Sequence, residues 1–300
     1  MAVVALTQGW VAKRLPARPA RAHKGTFGRL LIVAGSLEYA GAALLTGLGA
    51  IRAGVGLACL AAPEAVAIRL MGLLPELTSM LLVEEAPGLT APAGWRQLTT
   101  AAAGYQAFVV GPGLGRQPAT LRRARSFIGE LRLPAVVDAD GLTALAEVQR
   151  WWQPLRAPLV LTPHAGEFAR LMRLPEGQTI ADDDAQRADA ARDAAARWGQ
   201  VVVLKGAHTV VASPTGELVR SDIATPALAT AGSGDVLAGA IGAFLAAGLE
   251  PFDAAGCGVA VHGAAGLLAE DRIGEAGVVA RDVANLLPTA IQQLRGGPRP

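Results

Sequence analysis

The feature that most constrains this chain is a repeated alternation of two kinds of segment. Short, almost wholly apolar runs are followed by longer segments rich in alanine and leucine, and most of the runs end in glycine or a polar residue. These runs lie at 30–33, 57–60, 108–110, 135–137, 159–161 and 201–204. Continuous apolar strands separated by helices are typical of a parallel sheet covered by helices on both faces. We therefore predict an α/β fold.

The rhythm changes after residue 200. Short strands separated by turns are predicted at 201–204, 209–212 and 217–219, and Pro214-Thr215-Gly216 is a strong turn signal. This pattern predicts an antiparallel edge on an otherwise parallel sheet. Three mostly helical segments are expected from about Gly234 to the end, and residues 182–197 are expected to form a charged, exposed helix.

Composition excludes several classes of protein. With 300 residues, 52% hydrophobic and 17% charged, the chain is too apolar for intrinsic disorder. We predict a single domain over residues 1–300, with a core at about 20–294 and ragged ends before about Lys24 and after about Leu294. The net charge is only +2 and no block of lysine and arginine occurs, so we expect no nucleic-acid partner. Cys59 and Cys257 lie far apart and are expected to be buried, reduced thiols.

Targeting signals and membrane spans are not predicted. The amino terminus lacks the charge-then-apolar order of a signal peptide. The two most apolar runs, 236–249 and 254–269, are about 14 and about 16 residues long, short of the ~18–20 needed to cross a bilayer. We interpret both as buried helices, and we expect a cytoplasmic protein without a membrane partner.

Glycine-rich or polar segments follow most of the predicted strands. Because ligands of open parallel sheets bind beyond the carboxyl ends of the strands, these segments predict one shared site. They are Gly35-Ser36, the loop 111–115, Asp138 with Asp140, His164 with Glu167, and Lys205-Gly206.

The strongest local signal is Ala-Thr-Ala-Gly-Ser-Gly-Asp at 229–235, just before an apolar helix. Backbone amides of Gly232, Ser233 and Gly234 at a helix start would surround a bound anion. Asp235 beside such a site would repel phosphate unless it has a chemical task, which could be to accept a proton from a hydroxyl that attacks a phosphoryl group. Asp235 could equally be an ordinary residue of the first helical turn, favoured by the helix dipole.

Two further motifs each have a functional and a structural interpretation. Lys205-Gly206-Ala207-His208-Thr209 could approach a base or phosphate closely, or could be a simple hairpin turn. His164 could bond an amide or phosphate and Glu167 could orient water around a cation, or His164 could be a structural residue. No zinc-ligand spacing, P-loop, dinucleotide fingerprint or nucleophile elbow is present.

In this order, the motifs resemble those of the ADP-dependent NAD(P)H-hydrate dehydratases of the ribokinase-like superfamily, from about residue 20 to residue 292. The resemblance implies a three-layer α/β/α fold with a mostly parallel central sheet and an antiparallel edge. The matching segments are Lys24-Gly25 with Gly28, 33–36, 39–43, 111–115, 138–140, 162–167, Lys205-Gly206 with Thr209, and 229–235 with Leu237 and Gly239.

The resemblance also implies a reaction, the removal of water from the S-epimer of hydrated NADH or NADPH with conversion of ADP to AMP and phosphate. Asp235 would take the ring hydroxyl's proton, the amides of Gly232, Ser233 and Gly234 would hold the transferring phosphoryl group, and Mg²⁺ would offset charge, with Glu167 as a candidate ligand. The substrate-binding residues would be Ala42, Gly113, His164 and Asp235. The nucleotide-binding residues would be Lys205, Gly206, Ala207, His208, Thr209 and Gly234.

A homotetramer and a separate epimerase chain are further expectations from this resemblance. The chain departs from the family pattern at Ala165, where proline is usual, and at Ala224-Thr225, where Gly-Asn usually precedes Pro226. A ribokinase-like kinase that phosphorylates a vitamin-precursor alcohol is the alternative enzyme, and a non-catalytic nucleotide sensor or scaffold is a third hypothesis. The segments 35–43 and 111–115 favour a dinucleotide substrate, and the presence of Asp235 favours catalysis.

Overall fold

The computed structural model describes residues 3–180 and 183–296. The strands, in chain order, are β1 (Val4–Ala5), β2 (Arg29–Val33), β3 (Leu57–Pro63), β4 (Leu77–Leu82), β5 (Glu84–Ala86), β6 (Leu89–Thr90), β7 (Ala107–Val110), β8 (Ala135–Val137), β9 (Leu159–Leu161), β10 (Val201–Leu204), β11 (Val210–Ala212) and β12 (Leu218–Arg220). The helices are α1 (Gln8–Ala12), α2 (Ala40–Ala53), α3 (Glu64–Leu70), α4 (Pro92–Ala101), α5 (Pro118–Glu130), α6 (Asp140–Ala146), α7 (Ala165–Met172), α8 (Asp184–Trp198), α9 (Ser233–Ala246), α10 (Pro251–Ile273) and α11 (Ala280–Leu294).

Ten of these strands form one sheet in the order β1-β12-β11-β10-β9-β8-β7-β2-β3-β4, and β5 pairs separately with β6. In the described sheet only β11 runs antiparallel to its neighbours. The predicted antiparallel element therefore exists, but it lies inside the sheet, because β12 turns back and pairs in parallel with the edge strand β1.

The sheet separates two hydrophobic cores, which confirms the predicted three-layer α/β/α architecture. Leu30 and Ile32 of β2 enter the core beneath α2, α9, α10 and α11, whereas Leu31 and Val33 enter the core beneath α4 to α8. Successive side chains of a strand point to opposite faces, so a strand buried on both faces must be apolar throughout.

Glycines allow α2 and α9 to pack backbone against backbone. A Cβ atom on Gly239 of α9 would lie 2.1 Å from the carbonyl oxygen of Thr46, and one on Gly49 of α2 would lie 2.4 Å from that of Val236. Helix α9 also packs against β7 and β8. This close packing fixes the position of the α9 amino terminus relative to the carboxyl ends of the central strands.

The prediction of a ragged amino-terminal segment is wrong. Strand β1 pairs with β12, α1 packs against α10 and α11, and Arg14 donates a 2.8 Å hydrogen bond to Asp253 of α10. The apolar side chains of Val11 and Leu15 are buried. The segment therefore covers the edge of the sheet beside β12 and the adjacent helices.

Other expectations have mixed outcomes. Helix α8 ends at Trp198 and is exposed on one side only, because Arg187, Ala191 and Trp198 are buried against the sheet; Asp182 lies outside the described residues. Strand β4 and the β5–β6 pair were not predicted. Cys59 and Cys257 are free and buried, as expected.

Helix α10 is longer than the apolar run that predicted it. It has 23 residues and is long and apolar enough, by length and composition, to cross a membrane. However, 72% of its most apolar window is buried inside the protein. We interpret α10 as a core helix, which agrees with the expectation of burial although not with the shorter length.

Candidate active site

The site is organised around Asp138, which directly follows β8 and is only 2% exposed. Its Oδ1 atom accepts a 2.8 Å hydrogen bond from Oγ1 of Thr162, at the end of β9, and a 2.7 Å hydrogen bond from Nζ of Lys205, at the end of β10. Three adjacent strand ends thus supply three interacting polar groups, as the strand-end pattern predicted. A buried carboxylate requires such partners because burial of an isolated charge is very unfavourable.

Lys205 is the cation of this group. Its Nζ atom also lies 3.8 Å from Oε2 of Glu167. Burial alone would lower the pKa of Lys205, but the negative charges of Asp138 and Glu167 outweigh burial and raise the pKa. The lysine therefore stays positively charged, with its ammonium group held at a defined position.

A second, unpredicted residue holds the strand end that carries Lys205. Nη2 of Arg187, on α8, donates hydrogen bonds to the carbonyl oxygens of Leu204 (3.3 Å) and Lys205 (3.0 Å). The same guanidinium packs where a side chain on Gly206 would lie, 2.5 Å from its ideal Cβ position. No local motif marks Arg187, because its role depends on α8 packing against β10.

The amino terminus of α9 faces Lys205. Gly232 precedes the helix in the left-handed conformation (φ 88°), and Oγ of Ser233 donates a 2.8 Å hydrogen bond to the carbonyl oxygen of Leu228, which closes the turn. A Cβ atom on Gly234 would lie 3.4 Å from Nζ of Lys205. A lysine ammonium group and a helix amino terminus so close together form a site for an anion such as phosphate.

Asp235 lies in the first turn of the same helix. Within the described residues its carboxylate makes no hydrogen bond or ion pair. Burial, together with the negative charge of Asp138, raises the pKa of Asp235 to about 7. The positive charge of Lys205 opposes this rise. A carboxylate with a pKa near neutrality and a free lone pair can accept a proton at physiological pH.

His164 and Glu167 both serve the start of α7. Nδ1 of His164 accepts hydrogen bonds from the amides of Gly166 (3.0 Å) and Glu167 (3.3 Å), and Oε2 of Glu167 accepts one from the amide of His164 (2.9 Å). The structural interpretation of His164 is therefore correct as far as Nδ1 is concerned. Its ring remains about half exposed, and burial lowers its pKa. Ala165, which stands where the family usually has proline, is the first residue of α7.

Ala42, in the first turn of α2, lies against Gly113 of the loop 111–115. A Cβ atom on Gly113 would be 2.8 Å from Cβ of Ala42 and 2.6 Å from the carbonyl oxygen of Tyr39, and Gly113 has a φ of +61°. Asp140 holds this region, because its Oδ2 atom accepts a 2.9 Å hydrogen bond from the amide of Gly115. The two predicted substrate-binding residues thus lie side by side.

A cavity of about 490 Å³ adjoins Lys205 and Gly234. Gly206, Ala207 and Thr209 also line it, as the prediction of a nucleotide site requires, and its size is typical of small-molecule sites. His208 does not fit that prediction. It has a φ of +54°, and its Nδ1 atom lies 2.9 Å from Oδ2 of Asp184, so its ring pairs with α8 and not with the cavity.

The departure at Ala224-Thr225 has a structural explanation. Oγ1 of Thr225 accepts a 3.1 Å hydrogen bond from the amide of Ala227 and donates a short one to Oε2 of Glu270 on α10. Thr225 thus caps the 3₁₀ turn Pro226–Leu228 at the cavity wall. The hydroxyl group of Thr225 therefore stabilises the turn Pro226–Leu228 in this chain, which lacks the usual Gly-Asn pair.

No group of three or more histidine, cysteine or acidic residues that could hold a metal occurs in the described residues. Mg²⁺ does not need such a group, since it commonly binds one or two carboxylates together with substrate phosphates. Asp138 and Glu167 offer carboxylates beside Lys205, although Oε2 of Glu167 already accepts the His164 amide. The donor set fits a magnesium ion held largely by phosphate oxygens.

Comparisons with known proteins show which proteins this chain is similar to. A family model described as NAD(P)H-hydrate dehydratase matches residues 30–289. The chain is 39% identical, over 96% of its length, to a bifunctional NAD(P)H-hydrate repair enzyme from Moorella thermoacetica, and it spans about half (54%) of that relative.

Two further proteins are similar over nearly their whole length. An ADP-dependent (S)-NAD(P)H-hydrate dehydratase from Xanthomonas campestris is 38% identical, with 90% of each chain covered. The crystal structure of an ADP/ATP-dependent NAD(P)H-hydrate dehydratase from Bacillus subtilis, co-crystallised with ATP and Mg²⁺, matches with a TM-score of 0.83 at 33% identity, covering 98% of this chain and 99% of that one.

Proposed function

Because this chain belongs to the NAD(P)H-hydrate dehydratase family, we propose that it uses ADP to dehydrate the S-epimer of hydrated NADH and NADPH. The products are NADH or NADPH, AMP and phosphate. The observation that carries this proposal is Asp235 in the first turn of α9, near the Lys205 ammonium group. Its carboxylate has a pKa of about 7 and no partner in the part of the chain that the structure describes. Binding of a nucleotide alone would not require a base at this position.

Asp235 takes the proton of the ring hydroxyl in the first step. The hydroxyl oxygen then bonds to the β-phosphorus of ADP, and the bond from that phosphorus to the AMP oxygen breaks. A general base contributes most when its pKa lies near the working pH, as the pKa of Asp235 does.

The charge that develops on the transferring phosphoryl group is met by fixed groups. The amides of Gly232 and Gly234 at the α9 terminus and the ammonium of Lys205 would surround it, and Asp138 and Thr162 keep Lys205 in place. The amide of Ser233, which was also predicted to take part, instead donates a 3.3 Å hydrogen bond to the carbonyl oxygen of Thr230. Donors that are already oriented stabilise a transition state without reorganisation. The phosphate ester is needed because hydroxide is a poor leaving group, whereas phosphate is a good one.

Asp138 and Glu167 would hold a Mg²⁺ ion together with the phosphates of ADP. When bound, the ion offsets the negative charge of those phosphates. The chain's own groups orient the ADP phosphates by the contacts described above.

Elimination completes the reaction. The lone pair of the ring nitrogen expels phosphate, with cleavage of the carbon–oxygen bond, and loss of a proton from the neighbouring ring carbon restores the dihydropyridine. The oxygen of the removed water leaves in the phosphate. We assign contacts with the hydrated dinucleotide to Ala42 and Gly113, which lie side by side, and to the half-exposed ring of His164.

The relatives that match over nearly their whole length are named dehydratases, which favours dehydration over the kinase alternative. A kinase would stop at the phosphate ester and release it. We further propose that the protein works in the cytoplasm as a homotetramer, and that an epimerase of the hydrate is its functional partner, as the bifunctional repair enzymes suggest.

A direct assay tests the proposal. Purified protein, hydrated NADH and ADP with Mg²⁺ should regain absorbance near 340 nm and yield AMP and phosphate in equal amounts. The Asp235→Asn variant should remain inactive under the same conditions. A stable phosphorylated product, formed without recovery of NADH, would favour the kinase instead.

A further inference from the structure

The cavity beside Lys205 contains a buried polar group that the proposed reaction leaves without a role. His262 of α10 lines the cavity and is only 7% exposed. Its Nε2 atom has no hydrogen-bond partner among the residues that the structure describes. Almost all buried polar atoms in native proteins are hydrogen-bonded, so an unpartnered one indicates a missing partner such as a ligand or an ordered water.

The imidazole of His262 interacts with the backbone of Ser233, yet no described residue hydrogen-bonds its Nε2 atom. Apolar side chains make up most of the cavity wall, including Ile223, Leu228, Leu237 and Val259. Helix α10 passes through the core, and Val261 and Gly263, the residues on either side of His262, are buried as well. A hydrogen-bonding group in the cavity itself is therefore the available partner for the imidazole.

The chemistry of this imidazole selects the kind of group. Burial lowers the pKa of His262 to about 4; a hydrogen bond with the backbone of Ser233 opposes this shift and the charge of Lys205 adds to it, so the ring is neutral at pH 7. A neutral imidazole has one donor and one acceptor nitrogen, and it carries no charge to attract phosphate. Its natural partner is a hydroxyl group, which can both donate and accept.

The position of His262 indicates which part of a nucleotide it would meet. Its ring contacts the backbone of Ser233, the first residue of α9, and lies close enough to Lys205 for the lysine charge to lower the pKa of His262. The α9 terminus and Lys205 form the phosphate end of the site. In a nucleoside diphosphate, the group next to the phosphates is the sugar, which carries two hydroxyl groups.

We propose that His262 is a nucleotide-binding residue whose Nε2 atom hydrogen-bonds a ribose hydroxyl of ADP. The inference rests on the proposed function only in placing ADP in this cavity. It adds a specificity determinant that lies outside the 205–209 and 229–235 motifs.

Calorimetric titration of ADP and its 2′-deoxy and 3′-deoxy analogues into four proteins tests the assignment: wild type, His262→Leu, His262→Gln and Leu267→Ala, a control at an exposed position of α10 that does not line the cavity. Wild type should bind one deoxy analogue at least about tenfold more weakly than ADP, because a site built around a hydroxyl rejects the analogue that lacks it. His262→Leu should bind ADP about tenfold more weakly and should no longer distinguish that analogue. His262→Gln, which keeps a polar group at a similar distance, should retain part of the discrimination, and Leu267→Ala should retain all of it.

The discrimination separates a binding role from a structural one, since general damage to the cavity would weaken ADP and its analogues equally. Equal weakening in His262→Leu, or unchanged ADP affinity in that variant, would overturn the inference. Should His262→Leu fail to fold, the wild-type comparison still decides, because equal affinity for ADP and both analogues would also refute it. Tight ADP binding without dehydration would contradict the proposed function alone, whereas no ADP binding by wild type would contradict both.

Discussion

Nζ of Lys205 lies 2.7 Å from Oδ1 of Asp138, although the two residues are 67 positions apart in the sequence. The pair joins the ends of β8 and β10, with Thr162 at the end of β9 between them. It is nearly buried, since the side chains are 19% and 2% exposed. The lysine that faces the anion site is thus held by a carboxylate from another strand.

Breaking this pair from either side should destabilise the protein. Lys205→Met and Asp138→Asn should each lower the free energy of unfolding by about 2–4 kcal/mol, because each leaves a buried charge uncompensated. The double variant should lose clearly less than the sum of the two single losses. Urea denaturation of all four proteins measures this coupling, and strictly additive losses would show that the two groups do not interact.

Replacement of Asp235 should separate binding from catalysis. Asp235→Asn should lower turnover by about 10²–10⁴-fold, the usual contribution of a general base. ADP affinity should stay within about threefold, because the α9 amides and Lys205 are unchanged. The matched control is Asp222→Asn, whose side chain is 64% exposed, and it should behave like wild type. Turnover of Asp235→Asn near that of the control would remove Asp235 from the mechanism.

The raised pKa of Asp235 predicts the acid side of the pH profile. Only the ionised carboxylate accepts a proton, so the turnover number should fall as pH decreases through about 7. Single-turnover rates between pH 5.5 and 9 measure this limb of the profile. A rate that remains constant down to pH 5.5 would show that the active protein holds Asp235 ionised well below the expected pKa.

The same shift predicts how Asp235 affects stability. Its pKa is higher in the folded protein, at about 7, than the ordinary value of 3.8, so the folded state binds the proton more tightly than the unfolded state. The contribution of Asp235 to stability is therefore fully present below pH 3.8 and is lost as pH rises through 7. Asp235→Asn should unfold at a higher temperature than wild type at pH 8, with a smaller difference at pH 5. Thermal unfolding at the two pH values checks this, and the opposite trend would contradict the shift.

Gly234 should tolerate a methyl group structurally but not functionally. A Cβ atom there would meet Nζ of Lys205 at 3.4 Å, an ordinary contact, and alanine is the better helix former. Gly234→Ala should therefore keep or raise the unfolding temperature. Turnover should fall at least about tenfold, since the methyl group occupies space between the α9 amides and Lys205 that the phosphoryl group needs.

The control for this variant is Gly129→Ala in α5, where the added methyl group would lie 4.0 Å from Cβ of Pro154. It should leave turnover unchanged. Full activity in Gly234→Ala would place the phosphoryl group elsewhere in the cavity.

The strand ends illustrate how far the sequence leads. Each apolar run is a local pattern, and so is the residue that follows it; Asp138, Thr162 and Lys205 could therefore be assigned to one edge of a parallel sheet. The same locality explains the errors. The sequence does not reveal that β1 covers the sheet edge beside β12, because that pairing joins segments more than 200 residues apart. The orientation of His208 toward Asp184 likewise depends on the packing of α8.

By itself, then, the sequence determined the layered α/β architecture, the sheet edge that holds the site, and the glycine-rich helix start with Asp235. These follow from patterns a few residues long, which act through backbone conformation and hydrophobic periodicity. Only the tertiary structure decided that Asp138 holds Lys205 and that the pKa of Asp235 lies near 7. It also decided that the Asp235 carboxylate and Nε2 of the buried His262 have no hydrogen-bond partner among residues 3–180 and 183–296. The physical reason is that hydrogen bonds and desolvation depend on the positions of atoms from distant segments, which exist only once the strands and helices have packed.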